Sequence, residues 1–318
     1  MGIVIIPNTN PNVNLNHIRN VCDTVAVMQE GPHWYFQDYT IDKQFHYYNT
    51  LMSADWVYCH NESDVNYYKG LGCTDVRVMR SLMIPEGLVP RSEWGNGTII
   101  GGNFVSWYGG FDSYMVAREI GKPITSPSMG RKQDQESMIE DITYLPYMSW
   151  REWIKECGKY KVGIHMMRTH AAGTFSLNLA YHGTPCIGYE GLDTQDLLHP
   201  QPTVEVGNIA KAQSILKKLY SDKFFYHECS EQTKELFDKH YSEEAWLDED
   251  WQFHLRFFNG LKEHLNPGGR CLLIESSLGS HISIFEPMVP EGMVATEIKI
   301  PTDINPSWLL EVKYEATI

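Results

Sequence analysis

The chain has 318 residues, and at about 150 residues per domain this length predicts two domains, each able to bury its own core. Hydrophobic residues make up 42% of the chain and charged residues 21%, a balance typical of globular proteins that excludes a disordered chain. Asp and Glu number 40 against 26 Lys and Arg, and the resulting net charge of −14 disfavours nucleic acid and anionic membranes as partners.

The cysteines and the N-terminus indicate a reducing compartment. There are seven cysteines, and no two have the Cys-x-x-Cys spacing, which argues against a disulfide framework and a cysteine-rich zinc site. The apolar run at residues 2–7 has no basic region before it and is typical of a first strand rather than a signal peptide. No segment approaches the roughly 18 apolar residues of a membrane span, so we expect a cytoplasmic protein without a transmembrane segment.

Short apolar runs alternate with longer amphipathic stretches along most of the chain. This alternation predicts βαβ units, parallel sheets and an α/β fold. The predicted strands cover residues 2–7, 24–28, 56–60, 76–80, 98–101, 123–125, 143–145, 161–166, 185–188 and 203–206. The predicted helices cover residues 43–54, 63–71, 112–120, 149–157, 173–182, 208–220 and 243–261.

Two helix starts can be placed from the sequence alone. Ser149 and Glu152 have the spacing of a capping box. Asn208 is an N-cap candidate for the helix that follows it.

The division into domains is predicted from breaks in the pattern. Residues 85–97 are rich in Pro and Gly and predict a boundary. After residue 265 the alternation gives way to four predicted strands, at residues 271–275, 281–286, 293–300 and 308–317. We therefore predict domains over residues 1–92 and 93–265 and a β-rich appendage over 266–318, whose strands could pair with a second chain in a homo-oligomer.

The segment after the predicted strand 161–166 has the chemistry of an anion site. Ala172, Gly173 and Thr174 are small and open a predicted helix, so free backbone N–H groups and the helix dipole could hold a diphosphate. Gly183 is placed to end that helix. An ordinary strand, loop and helix of an α/β domain is the alternative interpretation.

The sequence lacks three other catalytic or nucleotide-binding motifs and does not indicate a metal site. The sequence has no Gly-x-Ser-x-Gly elbow, no P-loop and no Gly-x-Gly-x-x-Gly after its first strand. His165 and His170 are five residues apart and lack carboxylate partners at ligand spacing. We therefore predict no metal site.

Residues 160–192 resemble the nucleotide-sugar-binding domain of GT-B type glycosyltransferases. The resemblance is to the large retaining family with the pattern Glu, seven residues, Glu, then Ala-x-x-x-Gly-x-Pro-Val-Ile. Residues 183–187 match the end of this pattern, and His170 and Asn178 stand at its two Glu positions. The resemblance implies two Rossmann-like domains facing a cleft and transfer of a sugar from a nucleotide diphosphate donor to an acceptor hydroxyl. It implies no metal, with the donor as co-substrate, His170 near the transferred sugar and Asn178 on the ribose.

Further segments between residues 45 and 265 fit the same resemblance. Residues 144–147 resemble the strand and loop that contact the base, and residues 98–103 resemble the first strand and glycine loop of the donor domain. This implies that Gly101, Gly102 and Asn103 line the donor. The family carries an Arg and a Lys near that loop, and the candidates to replace them here are Arg131, Lys132 and Arg168.

The N-terminal domain would supply the acceptor side. Asn8, Asn10 and His17 lie in the stretch after the first strand, where ligands bind in open α/β sheets, and amides suit sugar hydroxyls. Glu30 and His33 follow the second strand and are candidates for a general base or an acceptor ligand. Simple turns are the alternative interpretation for all of these segments.

Other functions of the same fold stay open. One is a non-catalytic nucleotide- or sugar-binding protein that keeps the fold without the two acids. A second is a bacteriophage-type transferase acting on modified DNA bases, which the net charge of −14 disfavours. A third is an epimerase or phosphorylase.

Overall fold

In a computed structural model, the chain divides into two units. The first unit comprises residues 1–81 and 89–237, and the second comprises residues 82–88 and 238–318. The predicted domain boundaries at residues 92 and 265 stay predictions. The structure describes residues 2–7, 13–81, 83, 85, 87–102, 104–105, 107–121, 123–127, 139–242, 245, 270–276, 289, 291, 293–300 and 307–314.

A four-stranded parallel sheet forms the N-terminal part of the first unit. Its strands are β1 (Gly2–Ile6), β2 (Val25–Gln29), β3 (Trp56–Cys59) and β4 (Val76–Val78), in the order β1-β2-β3-β4. Helices α1 (Leu15–Arg19), α2 (Ile41–Ser53) and α3 (Glu62–Leu71) connect them. The core under this sheet includes Ile6, Val27, Tyr47, Val57 and Tyr68.

Local sequence signals explain where these helices begin and end. The side chain of Asn14 caps α1 by accepting a hydrogen bond from the backbone of Asn16. Gly72 ends α3 with a φ of 108°, a conformation that favours glycine.

A six-stranded parallel sheet forms the rest of the first unit. Its order is β10-β9-β8-β5-β6-β7, which is the doubly wound order with its switch point between β5 and β8. The strands are β5 (Thr98–Ile100), β6 (Ile124–Ser126), β7 (Ile142–Tyr144), β8 (Val162–His165), β9 (Cys186–Tyr189) and β10 (Thr203–Val204). The helices are α4 (Gly110–Ala117), α5 (Trp150–Cys157), α6 (Thr174–Tyr181), α7 (Asp193–Asp196), α8 (Ile209–Ser221) and α9 (Lys223–His240).

The structure confirms both predicted helix starts. The Ser149 side chain accepts from the backbone of Glu152, whose carboxylate accepts from the backbone of Ser149. The Asn208 side chain accepts from the backbone of Lys211 at the start of α8.

The second unit contains a three-stranded antiparallel sheet. Strands β11 (Arg270–Ser276), β12 (Met293–Ile300) and β13 (Ser307–Tyr314) pair in the order β11-β13-β12. Three of the four predicted C-terminal strands are therefore confirmed. The predicted strand 281–286 and the predicted helix 243–261 lie outside the described residues. Across the described part of the chain, no helix is long and apolar enough to cross a membrane.

Candidate functional site

The loops after β5 and β8 lie side by side at the switch point of the six-stranded sheet. An added Cβ at Gly101 would lie 2.8 Å from Cδ2 of His165 and 2.8 Å from the ring of Phe175. Gly102 has a φ of 77°, and a Cβ there would lie 2.6 Å from the carbonyl oxygen of Tyr108. Both glycines are therefore required by close packing, and ligands of open α/β sheets bind in this region.

Helix α6 begins at this edge with open backbone donors. Its N-cap residue Gly173 has a φ of 63°, and no side chain caps the helix. The hydroxyl of Thr194 donates to the carbonyl oxygen of Gly173 at 3.0 Å, and Ser176 donates to the same oxygen at 3.0 Å. A rigid helix start with uncapped N–H groups is suited to bind an anion.

Two cavities meet at the start of α6. The larger, which we call the cleft cavity, has a volume of about 260 Å³. The smaller, which we call the side cavity, has a volume of about 150 Å³. Thr174 and Phe175 line both cavities. A ligand with two bulky ends and an anionic middle would fit across this junction.

Loops from both parallel sheets line the cleft cavity. The first sheet contributes residues that follow β2, and the second contributes residues that follow β5 and β8. The lining residues are Glu30, Gly31, Pro32, Tyr35, Gly102, Trp107, Tyr108, His165, Met167, Thr169, Ala171, Ala172, Gly173, Thr174 and Phe175. Among these described residues there is one carboxylate and no Lys or Arg.

The side cavity is mostly apolar. It lies between the β7–α5 loop and α6, and one buried amide, that of Asn178, faces it from the helix. Its lining comprises Pro127, Leu145, Pro146, Tyr147, Met148, Trp153, Thr174, Phe175 and Asn178. Such a pocket suits a flat heteroaromatic ring with one polar contact.

Next to the cleft cavity, two imidazoles share one buried carboxylate. Nδ1 of His33 lies 2.8 Å from Oδ1 of Asp64, and Nδ1 of His170 lies 3.6 Å from the same oxygen. The Asp64 side chain is 3% exposed. Burial alone would raise the pKa of Asp64, but the two imidazoles and the Asn61 amide outweigh burial and lower the pKa to about 2. The Asp64 carboxylate in turn raises the pKa of His170.

The N-terminus of α3 is held against the second sheet's loops by a hydrogen-bond network. The Asn61 amide donates to the carbonyl oxygen of Ala171 at 3.1 Å and accepts from the backbone of Asp193 at 3.0 Å. The backbone of Glu62 donates to both carboxylate oxygens of Asp193, at 3.2 and 3.1 Å. Burial raises the pKa of Asp193 to about 6.

The predicted site residues fall into groups. Glu30, Gly102, Ala172, Gly173 and Thr174 line the cleft cavity, and Asn178 lines the side cavity. Gly101 packs against His165 and Phe175, which line the cleft cavity.

Some predicted residues line neither cavity. His33 and His170 meet at Asp64 instead. Arg168 is exposed and pairs with Asp112 at 2.7 Å, and His17 is exposed on α1. Asn8, Asn10, Asn103, Arg131 and Lys132 lie outside the described residues.

The sequence interpretation missed several residues of this region. Asp64 lies in the first turn of α3, and the fold alone brings it to His33 and His170. Trp107 and Tyr108 line the cleft cavity, and their position as an aromatic pair inside a glycine-rich segment was a usable signal. In the described part of the chain, no three His, Cys, Asp or Glu side chains are placed to share a metal ion.

Solved structures share this fold at low sequence identity. Sucrose-phosphate synthase from Thermosynechococcus elongatus has a TM-score of 0.66 at 11% identity, over 81% of this chain and 74% of that chain. A mutant of S. aureus TarM in complex with fondaparinux, α-GlcNAc-glycerol and UDP has a TM-score of 0.59 at 10% identity. That likeness covers 77% of this chain and 54% of TarM, so the chain spans about half of TarM.

A third solved structure also shares the fold. An α-glucosyltransferase in complex with UDP-glucose and DNA containing an abasic site has a TM-score of 0.54 at 14% identity, over 79% of both chains. No protein-family model and no curated protein sequence matches the chain. Together with the two parallel sheets, these likenesses confirm the predicted GT-B fold.

Proposed function

We propose that the protein is a glycosyltransferase that moves a sugar from a nucleotide diphosphate donor to an acceptor hydroxyl. One observation carries this proposal: an apolar side cavity and a two-sided cleft cavity meet at the uncapped N-terminus of α6. A nucleotide sugar has the matching parts, namely a flat base, an anionic diphosphate and a sugar.

The donor's parts are assigned to this geometry. The base would occupy the side cavity beside Tyr147, with Asn178 on the ribose. The diphosphate would bind backbone N–H groups at Ala172, Gly173 and Thr174, where α6 begins, and the sugar would enter the cleft cavity. The UDP and UDP-glucose in the complexes of TarM and the α-glucosyltransferase support this class of donor.

The residues assigned to catalysis come from the loops of both parallel sheets. Glu30 lines the cleft cavity and would act as general base or acceptor ligand. His33 and His170 would act at the edge of the cleft, where both imidazoles face Asp64 and Nδ1 of His170 also lies 3.1 Å from the hydroxyl of Ser63. His170 stands at the sequence position that faces the sugar in the resembling family, and its raised pKa favours a cationic imidazole there.

The proposal is tested by following release of nucleoside diphosphate from a panel of UDP-, GDP-, ADP- and dTDP-sugars, with water or added sugars as acceptor. We expect one donor to be turned over, and Glu30→Gln to slow turnover by about 10²–10⁴-fold while the donor still binds. Glu93→Gln is a matched control outside both cavities. Binding of a donor without turnover would instead identify a non-catalytic binding protein.

A further inference from the structure

His165 is a fixed side chain on the wall of the cleft cavity. It ends β8, next to the switch point of the sheet, and is 6% exposed. Its ring lies 5.1 Å from the ring of Phe175 and against Gly101, where an added Cβ would clash with Cδ2 of His165. Packing on two sides therefore sets the direction of the imidazole.

The Nδ1 atom of His165 is buried and has no hydrogen-bond partner among the described residues. Two other buried histidines, one at the end of α6 and one after α7, differ in this respect. His182 Nε2 lies 2.7 Å from the carbonyl oxygen of Ile154, and its Nδ1 accepts from the backbone of Arg91. His199 is bonded at both nitrogens as well. An unpartnered buried nitrogen is rare in native proteins, and here it belongs to a residue that lines the cleft cavity.

The charged and polar side chains that line the cleft cavity indicate which chemical group of a ligand can bind there. Burial lowers the pKa of His165 to about 4, so the imidazole is neutral and carries one donor and one acceptor nitrogen. The described lining offers no Lys or Arg, and Glu30 is its one carboxylate. A hydroxyl group, which can both donate and accept a hydrogen bond, matches such an imidazole. The rings of Tyr35 and Trp107 in the same lining suit the flat apolar face of a sugar.

We infer that His165 binds a hydroxyl group of the sugar in the cleft cavity and so helps to determine which sugar the protein accepts. This inference rests on the proposed function and adds to it a specificity residue. His165 is assigned no proton transfer, because its part is to recognise the ligand.

The test compares affinities for nucleoside diphosphates and for their sugars by calorimetry, with UDP, GDP, ADP and dTDP and the corresponding glucose conjugates as probes. We expect the wild type to bind one nucleotide sugar more tightly than its parent diphosphate. His165→Phe keeps a ring against Phe175 and should reduce this preference by about tenfold, the loss of one hydrogen bond. Affinity for the diphosphate alone should stay within about twofold, and His165→Asn should restore part of the preference.

His46→Phe is the matched control, because His46 is an exposed histidine that lines neither cavity. A wild type without any preference for the sugar, or a preference unchanged in His165→Phe, overturns the inference and leaves the proposed function standing. Failure of every diphosphate to bind overturns both. If His165→Phe does not fold, the ¹⁵N resonances of the two ring nitrogens of wild-type His165 decide, since at least one should shift with the nucleotide sugar and not with the diphosphate.

Discussion

Nδ1 of His33 lies 2.8 Å from Oδ1 of Asp64, and this contact links the loop after β2 to the first turn of α3. His170, from the loop before α6, faces the same oxygen at 3.6 Å. The carboxylate therefore organises residues from both parallel sheets beside the cleft cavity. Its removal should affect both the stability of the fold and the geometry of the cleft.

Asp64→Asn should destabilise the protein by about 1.5–3 kcal/mol at pH 7, because it removes a buried charged acceptor. The pKa of Asp64 is lowered to about 2 in the folded state. Its stabilisation is therefore present above the unfolded value near 4 and is lost as the pH falls toward 2. Urea unfolding at pH 7 and pH 3 measures this. Asp75→Asn, at an exposed ion pair with Arg77, should cost less than about 1 kcal/mol.

His170→Gln should destabilise the protein more at low pH than at high pH, which is the opposite of the pH dependence expected for Asp64→Asn. The Asp64 carboxylate raises the pKa of His170 in the folded state. The stabilisation is therefore fully present below the ordinary value near 6.5 and is lost as the pH rises through the raised value. Melting temperatures at pH 5.5 and pH 9 test this prediction, with the exposed His17→Gln as control. An equal loss at both pH values would refute the ion pair.

Asp193→Asn tests the contact between α3 and α7. Burial raises the pKa of Asp193 to about 6, so the folded state binds a proton more tightly than the unfolded state. As the pH falls from 7.5 to 4.5, the free energy of unfolding of the wild type should therefore increase by about 2 kcal/mol relative to that of Asp193→Asn. Denaturant unfolding of both proteins at the two pH values measures the difference. A constant difference would mean that Asp193 does not titrate as its burial requires.

Tyr147→Ala tests the assignment of the side cavity to a base. Tyr147 is 83% exposed and lines that cavity, so the fold should tolerate its loss. Stacking on an aromatic ring contributes about 1–3 kcal/mol per base, and affinity for the nucleoside diphosphate should fall at least about fivefold. Phe224→Ala removes a 90% exposed ring that lines neither cavity and should leave affinity unchanged. Equal affinities of Tyr147→Ala and wild type would place the base elsewhere.

The alternating pattern of the sequence predicted the fold well, because each strand of a parallel sheet is a short apolar run. Helix α9 (Lys223–His240) was missed. Its buried face includes Ser230 and Thr233 beside Tyr226 and Phe237, and these polar residues weaken the apolar periodicity on which helix prediction depends.

The site was predicted only in part. The start of α6 can be recognised from the small residues in the local sequence, and the structure places Ala172, Gly173 and Thr174 on the cleft cavity. The joining of His33 to His170 by Asp64 is a contact between residues about 30 and 100 positions apart in sequence. Spacing along one sequence carries no information on such long-range contacts.

The most direct measurement is thermal melting of the protein against a panel of nucleoside diphosphates, for the wild type and for Thr174→Asp. Thr174 is exposed at the first position of α6, so an acidic residue there suits the helix dipole but repels a diphosphate. Asn208→Asp adds the same charge at the start of α8, which lines neither cavity.

At a hundredfold excess over its Kd, a bound diphosphate should add about 2.7 kcal/mol of stability. We predict that one diphosphate raises the Tm of the wild type and of Asn208→Asp but not that of Thr174→Asp. If no diphosphate raises the Tm of the wild type, or if Thr174→Asp responds as the wild type does, the assignment of the donor site to the start of α6 is wrong.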